Sequence, residues 1–300
     1  MTAAIQSVAR LDCSPQKKPV LSTFSLETTT RQKSVEEAVG SQLPHGTNVY
    51  ITALPGVSED ELVAAAVRLR QAGLNPVPHL GARYFESRAA LEQLLHRLTE
   101  TAAVEQVLLI AGDIDRANGP FASALDVLRS GALARHGIRR VGIAGYPEGH
   151  PRISAEVLGE ALAAKIAAAR ELGLSVYVVT QFCFSAQPIC GWVEWFSERF
   201  PDVPVHVGLT GPAAITTLLK YAASCGIGAS VRALRRNVGI GRLLTETDPS
   251  SIIDDLTRRD AIAAHIAQYH FFTFGGVRRT SEFVRRLVQA SECLDRRARV

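Results

Sequence analysis

The chain has 300 residues, and 47% of them are hydrophobic, which is enough to bury a full core in one large α/β domain or two smaller ones. Its 33 basic and 29 acidic residues give a formal net charge of +4 and are mostly interleaved, so the composition disfavours a nucleic-acid-binding protein. No apolar run approaches the roughly 18 residues that a membrane span needs, and the N-terminus lacks the apolar core of a signal peptide.

The five cysteines are widely spaced and form no CxxC pair. This pattern indicates neither a disulfide framework nor a zinc cage, and it fits a reducing cytoplasm. Residues 1–18 are polar and contain Pro15, Lys17 and Lys18, so we expect a flexible N-terminal tail. We expect residues 19–300 to form a single domain that ends in an amphipathic closing helix, with Phe283 and Leu287 packed inward and arginines in water.

Short β-branched runs alternate with longer helical patterns along the chain. The predicted strands are 20–27, 48–53, 75–80, 106–113, 139–147, 175–182, 203–210 and 270–274. Repeated strand–helix units with right-handed crossovers produce a parallel sheet, and eight strands are the number that closes a barrel. An open doubly wound sheet is the alternative, but no GxGxxG follows the first strand, so we favour a (βα)8 barrel.

The predicted helices carry recognisable start and stop signals. They are 31–39, 58–71, 86–100, 119–131, 153–172, 187–199, 212–225 and 249–268. Ser58 and Ser154 stand where N-caps belong, each followed by early acidic residues, while Gly73 and Gly173 stand where C-caps belong.

Polar residues fall at the C-terminal ends of nearly all the predicted strands. They are Glu27, Thr52, His79, Asp113, Tyr146 with Glu148, Gln181 and Thr210. In a parallel barrel these ends meet at one rim, and that rim carries the chemistry of such barrels. The pattern therefore predicts an enzyme.

One of these strand ends continues into a stiff polar segment. Tyr146, Glu148 and His150 follow an apolar strand on a stretch that also contains Pro147 and Pro151. Because proline fixes φ and biases the preceding residue toward an extended backbone, the three side chains are held out of any helix. They are expected to form one wall of a site.

Five segments together resemble the methylenetetrahydrofolate reductase family over roughly residues 20–280. They are FSLE at 24–27, PHL at 78–80, AGD at 111–113, AGYPEGHP at 144–151 and TQFCF at 180–184. The YPEGHP segment followed by TQF is the specific part of the match. The resemblance implies a (βα)8 barrel that binds FAD, takes electrons from NADH or NADPH, and reduces methylenetetrahydrofolate to methyltetrahydrofolate.

The resemblance also implies roles for individual residues. Glu27 matches the general acid that protonates the departing folate nitrogen, which requires a pKa raised by desolvation in a flavin-covered pocket. Asp113 matches a carboxylate near the flavin and pterin that stabilises the cationic iminium. Gln181 matches the amide that contacts folate and nicotinamide. Thr217 and Tyr221 are expected beside the substrate.

Further positions match residues that surround FAD in the family. They are Thr52, His79, Gly112, Asp113, Phe121, Ala122, Tyr146, His150 and Lys165. Lys165 is expected to reach the pyrophosphate as a point charge. Phe182 and Phe184, at alternate positions of the same strand end, are expected in the core.

The chain departs from the family at several of these contacts. Ala111 stands where many members carry an arginine, and Thr217 stands where a glutamine is frequent. The helix 156–172 lacks the polar cluster that holds the adenosine side, where Glu160 is the available substitute for the acid. Fewer charge-assisted contacts weaken cofactor binding. A flavin-independent reductase and a folate-binding barrel without turnover are therefore the alternatives.

Other chemistries have weaker support in the sequence. Glu27, His79, Asp113, Glu148 and His150 are residue types of a divalent-metal site, but no HxH or HxxxH pair occurs on a strand or helix, and we expect no metal. A class I aldolase needs a lysine at a strand end, and none of the predicted strands supplies one. We expect a small folate as the substrate, neither a nucleic acid nor a membrane as a partner, and a homo-oligomer.

Overall fold

Eight parallel strands close into a barrel in a computed structural model of the protein, which describes residues 24–298 apart from residues 42, 53, 55 and 226–245. Each strand pairs with its neighbours in the chain, and the last strand closes against the first through Phe24 and Tyr269. The strands are β1 (Phe24–Thr28), β2 (Asn48–Ile51), β3 (Asn75–Gly81), β4 (Gln106–Ile110), β5 (Arg140–Gly145), β6 (Ser175–Thr180), β7 (Val205–Thr210) and β8 (Ile266–Phe272). The predicted barrel is confirmed. The predicted tail 1–18 and the start of the first predicted strand lie outside the described residues.

Helices alternate with the strands and surround the barrel. They are α1 (Gln32–Gly40), α2 (Glu59–Gln71), α3 (Arg88–Ala102), α4 (Ala124–Arg129), α5 (Ala132–Arg135), α6 (Ala155–Glu171), α7 (Ala186–Arg199), α8 (Ile215–Ser224), α9 (Ser250–Thr257), α10 (Asp260–Ala263) and α11 (Val277–Ala298). The closing helix α11 packs against α1 and β1, with Phe283 buried. Within the described residues, no helix combines the length and apolar character of a membrane span.

The predicted helix caps are confirmed. Ser58 and Glu61 form a capping box at the start of α2, because the Ser58 hydroxyl accepts from the Glu61 N–H at 3.2 Å and the Ser58 N–H donates to the Glu61 carboxylate at 2.9 Å. The Ser154 hydroxyl accepts from Val157 N–H at the start of α6. Gly73 and Gly173 follow α2 and α6 with φ of +78° and +69°.

Two predicted helices are wrong in extent. The predicted helix 249–268 consists of the short helices α9 and α10, after which β8 begins at Ile266. Its alanine-rich pattern favours a helix locally, but pairing with β7 on one side and β1 on the other imposes a strand. The predicted helix 119–131 begins only at Ala124, since Gly119 lies against the backbone of Glu86, where an added Cβ would come within 2.3 Å of the carbonyl oxygen.

Polar side chains occupy much of the barrel interior. Tyr50 donates its hydroxyl hydrogen to the Tyr177 hydroxyl at 3.1 Å, and the Gln106 amide donates to the same oxygen at 2.8 Å. The His206 ring stacks on Tyr177 with 4.5 Å between centroids. His206 is 4% exposed, and its Nδ1 has no hydrogen-bond partner among the described residues. Burial, with the charges of His270 and Arg140, lowers its pKa to about 3.

Replacing His206 with Asn should therefore make the free energy of unfolding depend less on pH in the acidic range. An unfolded histidine has a pKa of about 6.5, so between about pH 6.5 and 3 the unfolded chain holds a proton that folded His206 does not, and the free energy of unfolding falls as pH drops. Urea unfolding between about pH 6 and 4 should show a slope smaller by about 1.4 kcal/mol per pH unit in His206→Asn. The exposed His265→Asn is the control. An unchanged slope in His206→Asn contradicts the assignment of a neutral buried imidazole.

Candidate functional site

A buried carboxylate lies at the centre of the barrel rim. Glu27, near the end of β1, is 8% exposed. Its Oε1 lies 3.3 Å from Nε2 of His270 and 3.6 Å from Nε2 of His79. Its Oε2 accepts from the Thr52 hydroxyl at 3.4 Å. Polar groups from β1, β3, β8 and the end of β2 therefore surround one side chain, although these strands are distant in sequence.

The expected raised pKa of Glu27 is not found. Burial acts to raise the pKa of this carboxyl, but the hydrogen bond from His270, the charges of His79 and His270, and the Thr52 hydroxyl outweigh it, and the net pKa lies below the ordinary value. His79 is itself buried, which lowers its pKa to about 4. At neutral pH the arrangement is thus an ionised carboxylate beside a neutral His79 ring.

His270 is a site residue that the sequence analysis missed. Its ring is fully buried, and its Nδ1 lies 2.9 Å from the Ser25 hydroxyl. The Tyr50 ring lies edge-on to it, with 4.5 Å between centroids. The predicted strand begins at His270, which places this residue at the far end of the barrel. In the structure it is the fifth residue of β8, lies opposite Ser25 of β1, and its ring reaches the Glu27 carboxylate.

Aromatic side chains form one wall of the rim beside this centre. Phe182, which follows β6, is buried against Phe272 and Phe274 with ring centroids 5.3 and 5.0 Å apart. Tyr221 of α8 stacks on Phe274 at 4.1 Å and is 40% exposed. The predicted core position of Phe182 is confirmed. Tyr221 is a partly exposed aromatic side chain of the kind on which flat rings stack.

Gln181 and Thr217 stand half-buried near this aromatic wall. The Gln181 side-chain oxygen accepts from the Phe182 N–H at 3.1 Å, while the Gln181 N–H donates to the carbonyl of Gly145 at 2.8 Å. Gln181 is thereby fixed between β5 and the aromatic wall. Thr217 lies one turn before Tyr221 on α8.

The opposite part of the rim is formed by the end of β4 and its loop. Asp113 is exposed, and its N–H donates to the Tyr84 hydroxyl at 3.0 Å. Gly112 has a φ of +97°, and an added Cβ would come within 3.1 Å of the Tyr84 ring. Burial and the Asp113 charge raise the pKa of Tyr84. Tyr84, which the sequence analysis missed, thus covers the backbone at the predicted flavin contact.

The YPEGHP segment lies next to this loop. Tyr146 is half-buried with His150 edge-on at 5.5 Å, and burial, followed by the charges of Asp113 and Cys225, raises the Tyr146 pKa. Arg152 pairs with Asp115 at 3.0 Å, which ties this segment to the β4 loop. The segment 146–150 is held out of any helix, as the prolines predict, and its role as one wall of a site stays a prediction.

Two further predicted cofactor contacts stand apart from the open rim. Phe121 is 2% exposed and packs edge-on against Phe85. Ala122 is exposed, and its N–H donates to Asp126 at 3.0 Å. These two residues order the start of α4, and their contact with a cofactor stays a prediction.

A cavity of about 1090 Å³ extends from Tyr146 along the space between α6 and α7. Gly159 and Lys165 line it from α6, and Trp192 and Trp195 line it from α7. Burial lowers the pKa of Lys165 to about 8, and this lysine makes no hydrogen bond or ion pair with any residue that the structure describes. A cation that pairs with no described residue and faces a large cavity is suited to an anionic group.

Among the residues that the structure describes, no three His, Cys, Asp or Glu side chains are arranged to hold a metal ion. The described side chains offer proton transfer at Glu27, stacking at Tyr221 and anion binding at Lys165.

No protein-family model matches the sequence. Among solved structures, the chain is similar to the dihydropteroate synthase from Thermus thermophilus, with 14% identity, a TM-score of 0.48, and coverage of 91% of this chain and 95% of that one. It is also similar to a type I 3-dehydroquinate dehydratase from Clostridium difficile, with 12% identity, a TM-score of 0.40, and coverage of 63% of this chain and 75% of that one. Neither similarity identifies a substrate or a reaction for this protein.

The rate at which Lys165 is acylated should depend on pH as its lowered pKa predicts. Only the neutral amine reacts, so the rate of acetylation by an activated ester should reach half its maximum near pH 8, because the Lys165 pKa is about 8. Mass spectrometry of Lys165 across a pH series measures this profile. Lys33, exposed on α1, is the matched control. A Lys165 profile that keeps rising above about pH 10, as for an ordinary lysine, contradicts the burial of the amine.

Proposed function

We propose that this protein is a 5,10-methylenetetrahydrofolate reductase, which passes a hydride from NADH or NADPH, by way of FAD, to the methylene carbon of the folate. The observation that supports it most is Glu27, buried at the centre of the rim and held by His270 and Thr52. Reduction of the methylene group requires its five-membered ring to open to an iminium, and the departing nitrogen then needs a proton. Glu27 supplies that proton.

The folate is placed by the other side of the rim. The exposed Tyr221 face stacks on the pterin, and the fixed Gln181 amide meets a ring edge that presents donors and acceptors together. Asp113, across the rim, stabilises the positive charge of the iminium. In this pose the folate closes the rim over Glu27 and excludes water from it.

FAD fits the side of the barrel formed by β5 and α6. Lys165 would hold the pyrophosphate, since it is a half-buried cation facing a cavity that continues to the rim. Tyr146 lines that cavity where it meets the rim, with His150 packed edge-on against it. When bound, FAD accepts a hydride from the nicotinamide and transfers it to the folate. Glu27, Asp113 and Gln181 act on the folate.

A flavin-independent reductase is the second candidate, and the Tyr84 contact favours it. The Asp113 N–H, a donor at the predicted flavin contact, is already used by the Tyr84 hydroxyl, and Ala111 offers no guanidinium. In this variant of the reaction the nicotinamide passes its hydride directly to the methylene carbon. The proton chemistry at Glu27 is the same.

Anaerobic mixing of the purified protein with NADH, with and without added FAD, tests both candidates. Bleaching of the flavin absorption by NADH and its return on addition of methylenetetrahydrofolate supports the FAD-mediated reaction. Reduction of the folate by a protein that binds no flavin supports the direct reaction. Failure to reduce the folate under either condition contradicts the proposed function.

Replacing Glu27 with Gln should separate the two half-reactions. An amide retains the shape of the side chain but delivers no proton, so oxidation of NADH by the enzyme-bound acceptor should persist while folate reduction falls by at least about a hundredfold. Stopped-flow absorbance follows each step. Glu86→Gln, which changes an exposed glutamate before α3, is the control. If Glu27→Gln leaves both steps unchanged, Glu27 is not the acid.

Replacing Gln181 with Leu should weaken folate binding. The leucine cannot make the proposed hydrogen bonds to the pterin edge, and an unmet polar edge costs about 1–3 kcal/mol. The half-saturating folate concentration should therefore rise by roughly 5- to 150-fold. Initial rates across folate concentrations measure it, with the NADH step as the internal control. An unchanged saturation curve removes Gln181 from the site.

A further inference from the structure

The cavity of about 1090 Å³ lies between two helices that pack mainly on other neighbours. Helix α6 packs on α4, and α7 packs on α9 and α10. Gly159 of α6 and Gly191 of α7 line the cavity, so neither helix offers a side chain at these positions to fill the space. The volume is at the upper end of the range found for pockets that bind small molecules and cofactors. The space is therefore large enough for a nucleotide.

Both tryptophans of the chain line this cavity from α7. Trp192 stacks on Phe196 with 4.8 Å between centroids, and a Cβ added to Gly145 would come within 2.8 Å of the Trp192 ring. The Arg199 guanidinium lies 4.9 Å over the ring of Trp195. These contacts order both indoles, which are nevertheless only half-buried. Indole rings that are ordered and partly accessible bind flat aromatic rings.

A cation lines the same cavity from α6. Lys165 makes no hydrogen bond or ion pair with any residue that the structure describes, whereas Arg199 pairs with Glu198 at 3.8 Å. A Cβ added to Gly159 would contact Trp195 at 3.4 Å, and Lys165 follows Gly159 by six residues, which is about 9 Å along the helix axis. The cavity thus presents an aromatic surface and a cation at a separation that a ribose bridges between a base and its diphosphate.

The carboxylates of the lining suit the ribose. Glu160 lines the cavity and lies between Gly159 and Lys165 in the chain. A carboxylate accepts hydrogen bonds from ribose hydroxyls, as acidic residues do in dinucleotide sites. Glu156, which also lines the cavity, lies in the first turn of α6, where the helix dipole stabilises its charge. Lys165 is therefore the group in the lining that attracts a phosphate.

We propose that the cavity between α6 and α7 binds the adenosine diphosphate end of the dinucleotide that delivers the hydride, an inference that rests on the reductase reaction proposed above. The adenine stacks on Trp195, Glu160 accepts from the ribose, and Lys165 pairs with the diphosphate. FAD and NADH share this end, so the site suits either carrier. Because the cavity reaches Tyr146 at the rim, the reactive ring of the carrier lies toward the folate. The indoles of α7 take the place of the polar cluster that α6 lacks.

Binding of ADP to the purified protein tests this inference without turnover. Both tryptophans of the sequence line the cavity, so tryptophan fluorescence reports on this place in the fold. ADP should change the fluorescence saturably, and adenosine should do so at higher concentrations, because it lacks the diphosphate. Calorimetry gives the affinity independently. If neither method detects ADP binding, the proposal is wrong.

Two variants separate the base from the phosphate. Trp195→Leu should weaken the binding of both ADP and adenosine by roughly tenfold or more, because stacking of the base is lost. Lys165→Met should weaken ADP binding by roughly tenfold and leave adenosine binding unchanged, because it removes a charge-assisted contact to phosphate. Lys33→Met, at the exposed lysine of α1, is the control. Wild-type affinity for ADP in either cavity variant overturns the proposal.

Gly159→Leu is the variant to use if Trp195→Leu does not fold. Leucine has a higher helix propensity than glycine, and its side chain extends from α6 toward Trp195. The unfolding temperature should stay the same or rise, while ADP binding weakens by more than tenfold because the cavity is filled. A folded Gly159→Leu protein that binds ADP as the wild type does is incompatible with an adenine beside Trp195.

Competition calorimetry identifies the carrier. Displacement of ADP by FAD but not by NADH assigns the site to the flavin, and the reverse assigns it to the nicotinamide dinucleotide and the direct reaction. Displacement by both supports a shared site, and displacement by neither overturns the proposal. A protein that binds ADP but never reduces the folate refutes the reductase reaction. A protein that reduces the folate but does not bind ADP refutes the adenosine diphosphate site.

Discussion

The hydrogen bond between Glu27 and His270 joins two strands across 243 residues of sequence, and the rim is arranged around it. Burying a carboxylate costs free energy unless donors compensate it. His270 and Thr52 provide those donors, and they reach Glu27 only because β1 pairs with β8 on one side and with β2 on the other. The site therefore forms only when the barrel closes.

Local sequence signals were sufficient to predict most of the fold. Apolar runs located the strands. The Ser58 capping box and the positive φ of Gly173 could be predicted because they depend on residues close in sequence. The helix predicted at 249–268 is wrong because its structure depends on residues distant in sequence. The segment around Ala263 and Ala267 favours a helix, and only its pairing with two distant strands makes part of it β8.

The same error explains what was missed at the site. A strand that starts at His270 directs this side chain to the bottom of the barrel, whereas a strand that starts at Ile266 places it beside Glu27. Glu27, Thr52 and His79 were found because strand ends are visible in sequence. Their mutual contacts, and the lowered pKa of Glu27 that follows from them, depend on the three-dimensional neighbours of one carboxylate.

The barrel separates the two kinds of chemistry in space. Glu27, the proposed acid, and its polar partners lie on β1, β3, β8 and the end of β2. Tyr146 and Lys165, which are proposed to meet the cofactor, belong to the β5 and α6 side. Thr52 and His79, predicted as flavin contacts, both contact Glu27, and their contact with a flavin stays a prediction. The departures at Ala111, which follows β4, and along α6 lie away from Glu27 and leave the proposed acid unchanged. A change of hydride donor, from flavin to nicotinamide, alters one side of the barrel and requires no change at the Glu27 carboxylate or its histidine partner.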